Sequence, residues 1–233
     1  MARIILIETS TALCSTALIE DGKIADYRES SQPRAHAALT APFVHDMLAD
    51  RGLKVSDCDA VCLSKGPGSY TGLRVGSSTA KGLCFGAGIP LISVGTLELL
   101  VWQAMGSGLV PEGCTSVVPM IDARRMEVYA ATFDIKGGKV LQTGETAPVI
   151  VDAGSYSELL EKGKVLFVGD GAGKCSGTIT NPNAVFAQVN PRADAMLVPA
   201  LQAFEQKRFE DTAYFEPFYL KQFIATVSKK QLF

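Results

Sequence analysis

The run Ala60-Val61-Cys62-Leu63-Ser64 stops at Gly66-Pro67-Gly68 and gives way to Ser69-Tyr70-Thr71-Gly72-Leu73-Arg74-Val75-Gly76. An apolar run of this length that ends in glycine reads as a buried strand. The residues after it predict a helix over 69–85 with a glycine-rich first turn. A strand, a glycine loop and a helix N-terminus are the parts of an anion cradle, because the first N–H groups of the helix are bare and its dipole is positive there. Gly66, Gly68 and Ser69 are therefore candidate phosphate contacts. The glycines also continue past the point a cradle needs. Gly72, Gly76 and Ala80 are four apart and form one ridge. Each interior glycine costs about 0.5–1 kcal/mol relative to alanine, so a second backbone is expected to approach this ridge closely. Arg74 and Lys81 exclude a membrane span. Two neighbours stay open, the chain's own sheet or a helix of another protein, and the second is the favoured reading.

Composition narrows the class. The chain has 233 residues, 47% hydrophobic and 20% charged, with a net charge of −2. It can bury a large core in one or two domains. No basic run or aromatic-basic stripe is visible, which argues against autonomous nucleic-acid binding. Cysteines stand at 14, 58, 62, 84, 114 and 175, without a CxxC pair. Reduced, buried thiols are the expectation. The N-terminus enters Arg3-Ile4-Ile5-Leu6-Ile7-Glu8 directly, so no signal peptide is expected, and no window has the apolar length of a membrane span. A cytoplasmic protein follows.

The pattern repeats in two halves. Residues 4–8 and 15–20 read as strands, Asp21-Gly22 as a hairpin turn, and 24–28 as a third strand. A helix is predicted over 33–50, with Pro33 in its first turn and Gly52 at its end. The strand at 60–64 and the glycine-rich helix come next, then a strand over 89–93 and a helix capped by Thr96 that runs to 105. In the second half 117–121 is a strand, 127–134 a second, Gly137-Gly138 the turn and 139–142 the start of a third. A short helix over 156–161 and a strand over 165–168 follow, and Gly169-Asp170-Gly171-Ala172-Gly173 parallels Gly66-Pro67-Gly68. A last helix is expected over 194–208. The expectation is an α/β protein of two related halves, 1–105 and 106–233, each a mixed sheet flanked by helices. The last helix and tail, 194–233, could pack back on the first half.

Several residues carry side chains capable of chemistry. Glu8 and Asp122 end the leading strands of the two halves. Facing a cleft, they could bind a metal or position water. The favoured reading is that each caps the following turn, because no further acidic partner is evident. His36 and His45, nine apart at about 100° per residue, fall on opposite faces of one helix and cannot share a metal. No metal site is expected. Gly169–Cys175 is not a P-loop, since Val168 replaces the first glycine and Cys175 the magnesium-binding hydroxyl. Gly66-x-Gly68 is followed by Gly72, one residue too far for GxGxxG. Ser69, Tyr70 and Thr71 have no histidine nearby in sequence to activate them. On the first helix Leu39, Phe43 and Met47 are four apart with Thr40, Val44 and Leu48 beside them, a stripe wide enough to face two neighbours.

Ile5-Leu6-Ile7-Glu8-Thr9-Ser10, Pro33-Arg34-x-His36, the block 66–76, Ile121-Asp122-Ala123-Arg124-x-x-Glu127-Val128-Tyr129 and Glu216-Pro217-x-Tyr219-Leu220 resemble the TsaB family, formerly YeaZ. The resemblance covers essentially the whole chain. It implies the actin/Hsp70/sugar-kinase fold, two ribonuclease-H-like halves. It implies a non-catalytic subunit for tRNA N6-threonylcarbamoyladenosine synthesis at position 37, which binds and activates the paralogous transferase TsaD together with the ATPase TsaE. Alone, the chain would form a homodimer, and tRNA would be met only through the complex. No cofactor is implied within the chain, although ATP or ADP could sit at the partner interface. The degenerate loops would be Gly66, Gly68 and Ser69, and Gly169, Gly171 and Gly173. TsaD holds its metal with His-x-x-x-His, whereas this chain has His36 and Thr40. The family pairs through its first two helices, which places His36, Leu39, Thr40, Phe43, Met47, Gly72, Val75, Gly76, Thr79, Ala80 and Leu83 in the interface. The alternative function is an ATP-dependent, kinase-like enzyme of the same fold.

Overall fold

The apolar start of the chain forms a strand buried along its whole length, β1 (Ile4–Glu8), and the first half is assembled around it. The computed structural model describes residues 2–221. β2 (Cys14–Glu20) returns antiparallel, and a turn at Asp21-Gly22, both at positive φ, leads to β3 (Lys23–Ser30). α1 (His36–Ala49), β4 (Ala60–Ser64), α2 (Tyr70–Ala87), β5 (Leu91–Val94) and α3 (Thr96–Gly106) follow. The sheet order is β3-β2-β1-β4-β5, with β4 and β5 parallel to β1. Strands covered on both faces read as continuous apolar runs, as β1 and β4 do. α1 and α2 cover one face through Val44, Met47, Leu48, Ala80 and Cys84.

The second half repeats the plan: β6 (Ser116–Asp122), β7 (Glu127–Ala130), β8 (Phe133–Lys136), β9 (Lys139–Gln142), β10 (Ala147–Ile150), α4 (Ser157–Glu161), β11 (Val165–Val168), α5 (Ala172–Cys175) and β12 (Ala184–Ala187). Its order is β10-β7-β6-β11-β12, with β8 on β6 and β9 on β8. Each half is thus an antiparallel meander followed by two parallel strands, the ribonuclease-H-like plan of the expected α/β fold. A 3-10 turn (Ala193–Met196) and α6 (Leu197–Glu205) then return to the first half, where Ala193, Met196, Ala200 and Ala203 pack against Ile4, Leu6, Cys62 and Ile92. α3 serves both cores, with Leu99 in the first and Leu97, Leu100, Val101 and Ala104 in the second.

Local differences from the sequence expectations have physical causes. The strand expected over 127–134 is two strands. It breaks at Ala131-Thr132, where the Thr132 carbonyl accepts the N–H groups of Thr143 and Gly144 at 2.8 and 3.1 Å. β10 and β12 escaped notice because each is four residues long and partly exposed, and Pro148 lies in β10, an edge strand where proline is tolerated. α1 starts at His36, because Arg34 takes a positive φ and leaves Pro33 outside the helix. Thr96 is the first residue of α3, with Gly95 in the capping position. The last helix begins as a 3-10 turn and ends at Glu205. All six cysteines are free, buried thiols, and burial pushes Cys58 and Cys84 up to about 11. The end of the expected tail, 222–233, lies outside the described residues.

Candidate functional site

The glycine ridge faces inward, onto this chain's own β1–β2 loop. A side chain at Gly72 would collide with the carbonyl oxygen of Thr9, and one at Gly76 with the Thr9 hydroxyl. At Gly68 it would meet Ser10 O at 2.5 Å. Thr9 Oγ1 donates to Gly72 O at 2.8 Å, and the Ser69 N–H donates to Ser10 O at 2.7 Å. Gly72 and Gly76 are buried and Ala80 belongs to the first core, so the assignment of all three to a partner interface is corrected. The close neighbour that the glycines require is Thr9.

The same packing closes the first candidate cradle. A side chain at Gly66 would lie 2.6 Å from Phe218 O, and Phe218 itself donates to Lys65 O at 2.7 Å. Ser69 caps α2 with its own hydroxyl, which accepts the Gly72 N–H at 3.3 Å. The second loop is filled likewise. The Gly173 N–H donates to Gln188 Oε1 at 2.6 Å, Gln188 Nε2 donates to Asp170 O at 2.8 Å, and Gly169 is pressed against Met120 O. The N–H groups of Ser69, Gly169, Gly171 and Gly173 are thus bonded within the protein, and Gly66 and Gly68 press against Phe218 and Ser10. Gly171 abuts Asp122 and Val128.

Glu8 and Asp122 make the same contact in the two halves. Glu8 Oε1 accepts the Ser10 N–H at 2.5 Å, and Asp122 Oδ1 accepts the Arg124 N–H at 2.8 Å. Both are turn caps, each two residues ahead of the donor. Their surroundings differ. Glu8 is fully buried, its Oε2 has no hydrogen-bond partner among the described residues, and burial pushes its carboxyl up. Burial also acts on Asp122, but its ion pair with Lys174 and the Arg124 N–H outweigh it and hold the group low. Beside Asp122 lies Asp170, whose Oδ1 accepts the Asp122 N–H at 2.9 Å. Burial raises Asp170 to about 6. Sequence reading passed over Asp170, because it looked only like a spacer between glycines. Among the described residues no cluster of three or more His, Cys, Asp or Glu is arranged to hold a metal.

The helix pair divides its predicted interface residues into two sets. Thr40 and Met47 are fully buried, with Thr40 donating to His36 O at 2.7 Å, and both are corrected from interface to core. His36 is half-buried, its Nε2 2.9 Å from Thr11 O. Leu39 and Phe43 on α1 and Val75, Thr79 and Leu83 on α2 remain half-exposed. At about 100° per residue, Val75, Thr79, Gly82 and Gly86 fall within about 60° of one another. Gly82 and Gly86 are exposed, with open space where a side chain would stand. This second small-residue stripe, one step round α2 from the buried ridge, went unseen because the first ridge already explained the glycines.

Two sheets, each an antiparallel meander followed by two parallel strands, define the class, an α/β protein with two ribonuclease-H-like halves. A family model for TsaD, tRNA N6-adenosine threonylcarbamoyltransferase, matches residues 28–226. The tRNA threonylcarbamoyladenosine biosynthesis protein TsaB of Escherichia coli is 33% identical over 230 residues, 96% of both chains. That of Bacillus subtilis is 35% identical over 168 residues, 71% of this chain and 70% of that one. The solved structure of YeaZ from Pseudomonas aeruginosa superposes with a TM-score of 0.83 at 27% identity, covering 94% of this chain and all of that one. The chain belongs to the TsaB (YeaZ) family and takes part in threonylcarbamoyladenosine biosynthesis.

Proposed function

We propose that this chain is a non-catalytic subunit that binds and activates a TsaD-type transferase, in company with a TsaE-type ATPase, for modification of tRNA at adenosine N6. The observation that carries the reading is the outward face of α1 and α2. Leu39, Phe43, Val75 and Thr79 line it with half-buried Leu83 at its border on the core, and Gly82 and Gly86 leave open space on it. Small residues let two helices approach closely while flanking apolar side chains interlock. Without its partner the chain would pair through the same face with a second copy. A nucleotide would be held between the two proteins rather than in this chain, whose loops are occupied by Ser10, Phe218 and Gln188. No helix among the described residues is long and apolar enough to cross a membrane, in keeping with work in the cytoplasm beside tRNA.

The experiment is reconstitution of the modification from purified TsaD- and TsaE-type proteins with and without this chain. The expected result is loss of modified tRNA when the chain is omitted. Full modification without it refutes the proposal.

A further inference from the structure

The hairpin between β6 and β7 carries two consecutive non-glycine residues with left-handed backbone, Arg124 at φ 72° and Arg125 at φ 51°. Side chains avoid this region and glycine enters it freely. The shape is pinned from both sides. Asp122 accepts the Arg124 N–H, and the Glu127 N–H donates to Arg124 O at 3.1 Å. Both arginines are exposed, and neither guanidinium has an ion-pair partner among the described residues. Strain of this kind persists where the conformation it produces is used. What it produces here is a pair of projecting guanidinium groups.

The pair continues a strip that crosses the molecule. Glu127, at the base of the hairpin, forms an ion pair with Lys221. Two residues before Lys221, the Tyr219 ring lies 4.8 Å from that of Tyr70. Arg74 lies over the Tyr70 ring at 4.3 Å. The Arg74–Tyr70–Tyr219 contacts and the Lys221–Glu127 ion pair thus link the start of α2, the tail and the second half. Of the nearby carboxylates, Glu127 and Asp122 are engaged by Lys221 and Lys174, and Glu216 is exposed. The residues come from positions 70–74, 124–125 and 219–221, so no window of the sequence displays them together.

We infer that this strip is where the chain touches tRNA within the complex, a reading that rests on the proposed function. Exposed guanidinium groups without ion-pair partners, as at Arg124 and Arg125, fit phosphates.

The test is the double variant Arg124→Ala/Arg125→Ala in the reconstituted complex. Alanine keeps the Cβ, so the backbone conformation and its strain are unchanged. The readout is tRNA affinity by fluorescence anisotropy across a salt series, with light scattering to verify that the complex is intact. The expected result is tRNA binding weaker by on the order of tenfold at low salt, and a slope of log K against log salt reduced by about 1.4–1.8 for two lost phosphate contacts. Arg124→Lys/Arg125→Lys keeps most of the slope. Unchanged affinity and slope in an intact complex overturn the inference. So does weakened ADP binding with tRNA binding intact, which would make the pair a nucleotide site. A wild-type chain that forms no complex and is dispensable for modification sinks the functional reading instead, and is seen before any variant is made.

Discussion

Thr9 is the residue on which the first half closes. Its carbonyl fills the space beside Gly72, its hydroxyl fills that beside Gly76, and the hydroxyl also holds Gly72 O. Overpacking a site walled by backbone costs about 1–3 kcal/mol or more. Gly72→Ala is expected to lower stability by at least about 2 kcal/mol, read as a drop in the urea midpoint, and Gly76→Leu to prevent folding. A folded Gly76→Leu protein with an unchanged midpoint would contradict the packing. The glycine spacing made a close approach legible in the sequence, but not its partner, which lies 63 positions away. Asp170 sets a pH dependence. Its carboxyl is raised from 3.8 to about 6 by burial, so the folded state binds more protons than the unfolded one between those values. Stability that is fully present below about pH 3.8 is therefore lost as pH rises through about 6. About two units at 1.36 kcal/mol each set an upper bound of about 3 kcal/mol, and partial exposure makes it smaller. Asp170→Asn should flatten the stability curve over that window, as denaturation midpoints at pH 4, 5, 6 and 7 would reveal. An Asn variant with the wild-type slope would assign the dependence elsewhere.

α2 is an element with two small-residue faces, one inside and one outside. The inner face is committed to Thr9 and to the sheet. The outer face has no neighbour at Gly82 or Gly86 among the described residues. Gly82→Leu is thus expected to leave the fold intact, and to raise helix stability by up to about 1 kcal/mol because leucine replaces an exposed glycine. It is also expected to abolish pairing with a TsaD-type partner by holding the helices apart. Light scattering of the mixture together with a thermal melt separates the two effects, and a variant that still pairs would remove this face from the interface. Elements whose signal is strong and local were legible: β1, β4, α2, the Asp21-Gly22 turn and the turn caps at Glu8 and Asp122. Elements of four residues on exposed edges were not, because the period of an apolar pattern needs more length to show.

At the scale of the molecule, α3 belongs to two cores and the segment from Ala193 to Ala203 belongs to the first. Tail residues add to this union. Phe215 enters the core beneath α2, Lys81 Nζ donates to the carbonyls of Ala213 and Phe215 at 3.0 and 3.2 Å, and Lys221 reaches Glu127 in the second half. The two halves are therefore expected to unfold together. Calorimetry should give one transition, with the calorimetric enthalpy equal to the van't Hoff value. Met196→Ala should cost about 2–5 kcal/mol and move that single transition as a whole. Two separated transitions would show that the halves are independent. The repeat of strands made two related halves legible in the sequence. Their mutual dependence was not, since it rests on contacts such as Cys62 with Met196, 134 positions apart.

That long return has a temporal consequence. A chain leaving the ribosome exposes β1 to β5 first, yet the segment that covers one face of their sheet is translated only after the whole second sheet. The half made first is the half finished last. Until residue 203 emerges, Ile4, Leu6, Cys62 and Ile92 lack that cover, and the nascent protein stays adhesive through the synthesis of the whole second sheet.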